Sequence, residues 1–146
     1  MKNPDWEKQF FKLIQERKAQ PFIWGENDCC LFACDAIERM TGTDPAAWFR
    51  GKYKTQRGAY KKLKEFSGGG ILEAAVKITA RLGYQGINPL LAQRGDVVYC
   101  ESIETEEMGV NHSLGIVSLN GEIAIPGKHG LIFIPLARAT RAWRVG

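Results

Sequence analysis

The sequence predicts an α+β domain in which N-terminal helices pack on a C-terminal antiparallel sheet. Three observations carry this. Apolar side chains recur at helical spacing through the first 82 residues, punctuated by helix caps and stops. After Asp96 the pattern changes to short strand-like runs. Asn120-Gly121, between two of those runs, is the strongest short hairpin signal a sequence offers. Helices first and antiparallel strands later define the class.

The elements follow in order. Asn3-Pro4 opens the first helix, since Asn caps and Pro suits the first helical position. Trp6, Phe10, Leu13, Ile14 and Arg17 then fall at helical spacing, and Pro21 ends that helix. Phe22-Ile23-Trp24-Gly25 is a short apolar lead-in. Asn27 or Asp28 caps a second helix that runs to about Met40, with Gly42 as its stop. Asp44-Pro45 restarts a short helix. Thr55 caps a helix carrying Ala59, Leu63 and Phe66, and Ser67-Gly68-Gly69-Gly70 breaks it. Ile71 to Leu82 reads as helix with Gly83 at its end.

The strands come next. Asp96 to Cys100 is the first, Glu101 to Asn111 a polar acidic loop, and His112 to Leu119 the second. Glu122 to Ile125 returns after the hairpin. Pro126 to Gly130 turns again, Leu131 to Leu136 is a further strand, and Ala142 to Val145 the last.

The chain of 146 residues suits one domain, with no repeat and no interdomain linker. A domain of this size buries roughly 70% of its unfolded surface, so it needs no disulfide or metal to fold. Four cysteines are too few for a disulfide scaffold. The balance of 20 Lys and Arg against 16 Asp and Glu permits an anionic partner without demanding one. The N-terminus has no secretory signal, and no apolar run of 18 residues offers a membrane span. The expected site of synthesis is the cytosol, with reduced thiols.

Chemistry concentrates in Asp28-Cys29-Cys30. A helix N-terminus carries partial positive charge, which favours a thiolate. With Asp28 as cap, Cys29 is the first helical residue, close to unpaired backbone N–H groups that also suit an oxyanion. Cys30, Cys34 and Ile37 share a face, so Cys30 and Cys34 are expected in the core and Cys29 at a mouth. A thiolate nucleophile needs a base. His112, at a strand start that can face a packed helix, is preferred over His129, which sits in a Gly-flanked turn. Two other readings stand beside this one. A free cysteine commonly packs as a small hydrophobe. Alternatively, Cys30 and Cys34 at i and i+4 ligate zinc, completed by Cys100 or a histidine, although paired Cys-x-x-Cys knuckles are lacking.

The ordered set Trp24-Gly25, Asp28-Cys29, Gly95-Asp96 and His112 with Gly115-Ile116 resembles the NlpC-type peptidoglycan cysteine peptidases, which have a papain-like fold. Over nearly the whole chain, "PFIWGENDCCLFACDAIERMTGTDPAAWFRGKYKT" and "GLIFIPLARATRAWRVG" look like a family of phage and prophage proteins encoded among tail genes and regarded as NlpC-like. The resemblance implies one NlpC-like domain over 1–146 serving as a component of the tail tip or its assembly. Other tail proteins would be its partners. The protein would be made in the host cytoplasm and carried in the virion tail tip. The competing implication is an active peptidoglycan endopeptidase or amidase, with Cys29 as nucleophile, His112 as base and the cell-wall stem peptide as substrate. Neither implies a cofactor, a metal or nucleic acid.

The chain departs from the pattern at three places. Cys30 stands where the motif has Ser. His112 lies three residues before Gly115 where the motif has two, and in a strand one extra residue turns a side chain to the other face unless a bulge absorbs it. The place of the third catalytic residue falls near Ala124 and Ile125, both apolar, with His129 as a second candidate.

Two further stretches carry charge. Arg50 to Lys64 holds seven basic residues and no acid, read as a solvated helix face or as a contact for an anionic polymer or a neighbouring subunit. The acidic loop Glu101 to Gly109 is placed to cover the Cys29 cleft or to contact a basic partner.

Overall fold

The computed structural model of the chain describes residues 1–105 and 110–146. Four α-helices come first: α1 Trp6–Arg17, α2 Cys29–Thr41, α3 Gln56–Ser67 and α4 Ile71–Leu82. Six strands follow: β1 Gly86–Ile87, β2 Val97–Thr105, β3 Val110–Val117, β4 Ile123–Gly127, β5 Gly130–Ile134 and β6 Ala139–Trp143. They form one antiparallel sheet in the order β1-β6-β2-β3-β4-β5. The class and the helices-before-sheet order are those expected.

Local chemistry explains the helix ends. The Asp28 side chain accepts from the Leu31 N–H, and the Thr55 hydroxyl from the Gly58 N–H, so α2 and α3 each start on a side-chain cap. Gly42, Gly68 and Gly83 close α2, α3 and α4 in the left-handed conformation that glycine adopts without strain.

Several segments differ from expectation. Residues 45–51 are a run of turns rather than a helix; Asp44 caps the first turn by accepting from Ala46 N–H, and Gly51, at φ +76, ends the run before a helix can build. β2 ends later and β3 begins earlier than expected, because backbone pairing carries the hairpin on to Thr105 and Val110, while β3 stops at Val117 rather than Leu119 and β5 at Ile134 rather than Leu136. The expected acidic loop is therefore strand at both ends, and residues 106–109 lie outside the described residues. β4 extends to Gly127 and narrows the next turn to Lys128-His129. β6 begins at Ala139. The two-residue β1, at the sheet edge, lacks any sequence run long enough to read.

The sheet has an apolar cluster on each face. On the helix side, Phe10, Leu13, Phe32, Ile37 and Met40 pack against Val97, Tyr99, Leu114, Ile116 and Trp143. On the other side, Val98, Cys100, Val117, Ile123 and Ile125 are buried under Phe22, Trp24, Ile132 and Ile134. A third cluster, Leu31, Cys34, Phe49, Tyr53, Ala59 and Ile78, joins α2 to α3 and α4. Burial of such side chains, at about 25 cal/mol per Å² of apolar surface, holds helix layer and sheet together.

Asp96 ties the far ends of the chain to this core. It is fully buried, accepts from the Gln93 and Val145 N–H groups, and pairs with Arg144 at 3.0 Å. Gly95 before it needs glycine twice over: φ is +88, and a Cβ would lie 2.9 Å from Met40 Sδ.

Candidate functional site

The start of α2 is held from several directions. Asn27 is buried; its amide donates to the Gln20 and Pro21 carbonyls, and its oxygen accepts from Arg17 at 3.0 Å. Arg17 in turn pairs with Asp35 at 2.5 Å, so α1 and α2 clamp the lead-in between them. Asp28 is 1% exposed and accepts three hydrogen bonds: from Leu31 N–H at 2.9 Å, Gly25 N–H at 3.0 Å and the Tyr53 hydroxyl at 2.5 Å. All three donors are neutral. Burial therefore dominates and raises its pKa, while the hydrogen bonds from Tyr53, Leu31 and Gly25 hold it back. Burial and the adjacent Asp28 carboxylate push the Tyr53 hydroxyl far up as well. Gly25 lets the Tyr53 backbone approach: its φ is +84, and a Cβ there would lie 2.0 Å from the Tyr53 carbonyl oxygen.

Cys29 follows the cap as the first residue of α2. It is 2% exposed, so it does not stand at an open mouth as expected. The reason is tertiary: the helix start is pressed against β3 rather than against solvent. β3 pairs with β4 only through Ile116 and Val117. Ahead of Ile116, that edge of β3 has no strand partner among the described residues, and the Cys29 sulfur meets it. The thiol of Cys30, the hydroxyl of Ser113 and the backbone N–H of Leu114 lower the Cys29 pKa against the opposing effects of burial and Asp28. The other thiols move the opposite way. Cys30 is raised by its hydrogen bond with Cys29 and by burial, Cys34 by burial, and Cys100 by burial to about 12. One thiol of four is thus biased toward ionisation.

His112 alternates with Leu114 and Ile116 along β3, so it points to the helix side of the sheet. Its ring lies 6.3 Å from Tyr60 of α3 and 6.2 Å from Tyr99 of β2. No hydrogen bond joins it to Cys29 among the described residues. Gly115 points to the opposite side, where a Cβ would meet Ile123 at 2.5 Å. The extra residue between His112 and Gly115 therefore puts them on different faces. The position two before Gly115 is Ser113, and its hydroxyl is the side-chain group from β3 that acts on Cys29. Ser113 went unread in the sequence because a serine inside a strand is ordinary; its spacing to Gly115 was the available signal. Tyr53, Tyr60 and Tyr99 carried no sequence signal, being 24 to 70 residues from Cys29 in the chain.

His129 is exposed on the β4–β5 turn, beside the end of α1, where the Leu131 N–H donates to the Lys18 carbonyl. No hydrogen bond joins it to Cys29 among the described residues. Ala124 and Ile125 are fully buried in the clusters on the two sheet faces, so neither orients a histidine. The zinc reading also fails on placement. Cys30, Cys34 and Cys100 lie in three different clusters, and no three His, Cys, Asp or Glu groups converge among the described residues. All four cysteines are free thiols. No helix among the described residues is long and apolar enough to cross a membrane.

No curated protein matches the chain. A family model described as a domain of unknown function, DUF6950, matches residues 1–145, and the chain belongs to that family.

Proposed function

We propose that the chain is a tail-tip or tail-assembly component of a tailed phage or prophage, built on an NlpC-like papain-type fold whose thiol site no longer hydrolyses amides. It is made in the host cytoplasm, joins other tail proteins and travels in the virion. The observation that carries the inactive reading is Ser113. A cysteine peptidase needs a base that takes the thiol proton and then returns it to the leaving amine. The β3 groups that act on the Cys29 sulfur are the Leu114 N–H and the Ser113 hydroxyl, whose proton is donated to the Leu114 carbonyl at 2.8 Å; neither ionises near neutral pH and neither can relay that proton. The Cys29 thiol is biased toward ionisation, but amide cleavage stalls for want of an acid.

The test is incubation with muropeptides beside the Cys29→Ser variant, together with a phage carrying Cys29→Ala. The expected outcome is no fragment release and intact tails from the variant phage. Fragments that Cys29→Ser fails to release, or variant phage that assembles but does not infect, would overturn the inactive reading.

The lowered Cys29 pKa favours a second reading, an active peptidoglycan endopeptidase or amidase. In it His112, on the helix side of β3, takes the Cys29 proton; the sulfur attacks the peptide carbonyl, the amine leaves with that proton, and water hydrolyses the thioester. His112→Ala would then abolish release.

A further inference from the structure

Outside the Cys29 site, the largest unexplained feature is a row of cations on α3 and the loop before it. Of the seven basic residues between Arg50 and Lys64, two have partners: Arg50 pairs with Asp35 and Asp44, and Lys62 with Glu65. Lys52, Lys54, Arg57, Lys61 and Lys64 are exposed and make no ion pair among the described residues. We propose that these five form a docking surface for an acidic polypeptide segment of a partner protein. The inference stands apart from the thiol site and holds whether or not Cys29 is catalytic.

The row is preorganised. Tyr53, between Lys52 and Lys54, is buried and hydrogen-bonded through its hydroxyl to Asp28, so the loop carrying those lysines is anchored. Arg57, Lys61 and Lys64 stand at i, i+4 and i+7 of α3, one helix face about 10 Å long. A partner therefore meets charges already in place, which lowers the ordering cost of binding.

The same row works against the helix that carries it. The first turn of α3 has no acidic residue, and Arg57 sits there, at the positive end of the helix dipole. Arg57 and Lys61 also repel each other at i,i+4. An arrangement that costs stability locally is accounted for when an external anion neutralises it.

The chemistry selects the kind of anion. None of the exposed large apolar side chains lies between residues 50 and 64, so nothing there inserts into a bilayer. The two aromatic residues among these cations are both engaged within the fold, Tyr53 by burial and its hydrogen bond to Asp28 and Tyr60 by ring contacts with Trp24 and His112, so neither is a dedicated platform for stacking bases. Four of the five cations are lysines, point charges on flexible stems that neutralise an anion without imposing a fixed geometry. Carboxylates spaced along a flexible chain satisfy such a row by charge alone.

The experiment is fluorescence anisotropy of a labelled polyglutamate peptide with the whole protein, repeated with an anionic oligonucleotide and with vesicles rich in phosphatidylserine. Polyglutamate should bind best, its affinity falling about tenfold between about 50 mM and about 200 mM salt. Lys61→Glu/Lys64→Glu should weaken it at least about tenfold, as should Lys52→Glu/Lys54→Glu, while Lys8→Glu/Lys12→Glu on α1, with the same change in net charge, should leave it within about twofold. Circular dichroism checks that each variant folds. Absence of polyglutamate binding, equal loss in the α1 control, or tighter binding to oligonucleotide or vesicles would each overturn the proposal.

Discussion

Two helix starts in this protein use the same local device in opposite surroundings. At α2 the cap is Asp28, buried, accepting from two backbone N–H groups and from Tyr53, with Cys29 immediately behind it. At α3 the cap is Thr55, exposed, accepting from one N–H, with Arg57 behind it and lysines around it. Capping decides where each helix begins. Burial decides what the start then does. A dipole closed off from water acts on a thiol, whereas one open to water is surrounded by mobile charge that salt can screen. The first biases a thiol toward ionisation, and the second leaves its cations exposed to solvent.

The comparison can be tested by removing its parts, beginning where the loss should be largest. Asp28→Ala leaves three donors without an acceptor inside the core and should cost about 3 kcal/mol by denaturant unfolding. A loss below about 1 kcal/mol would mean that the buried cap is no more important than the exposed one. Tyr53→Phe removes one of the three hydrogen bonds and the link to the basic loop, and should cost about 1.5 kcal/mol in the same measurement.

Acid provides a signed test. Asp28 has a raised pKa in the folded state, so its contribution is fullest below its unfolded value of 3.8 and is lost as pH rises through the folded value. The stability gap between wild type and Asp28→Ala should therefore widen on acidification from neutral pH toward 3.8. A gap that narrows would show a depressed, compensated carboxylate instead.

At the exposed start the effects shrink. Thr55→Ala should cost about 1 kcal/mol or less in thermal unfolding. Arg57→Glu should change sign: an acid in the first turn of α3 should stabilise the fold by a few tenths, about 0.3 kcal/mol. A destabilised Arg57→Glu protein would mean that Arg57 serves its own fold, and would weaken the docking role of the row.

Much of the helical half was legible in the sequence, because capping and periodicity are local. Ile71 to Leu82 was delimited to the residue; of the two caps offered for α2, Asp28 is the one used, and Gly42 closes that helix as read. Five of the six strands were found with shifted bounds: β2 runs five residues past its expected end and β6 begins three before its expected start, while β3 and β5 each stop two residues short of theirs. Their ends carry no apolar alternation and exist because a neighbour is there to pair, as at Glu101 opposite His112. The Asp44-Pro45 segment shows the limit of a cap signal: a good start with no periodic face behind it yields turns.

The site divides the same way. That Cys29 begins a helix behind an acidic cap, with its sulfur near the positive end of a dipole, follows from seven consecutive residues and helix geometry. That Cys29 is buried, that Ser113 rather than His112 meets its sulfur, and that Tyr53 seals Asp28 from a distance of 25 residues were decided only by the tertiary structure. The physical reason is range. Capping and dipole act within one turn of chain, but which group meets a thiol depends on how far neighbouring strands pair: β4 pairs with β3 only at Ile116 and Val117, and the Cys29 sulfur meets the edge left ahead of them.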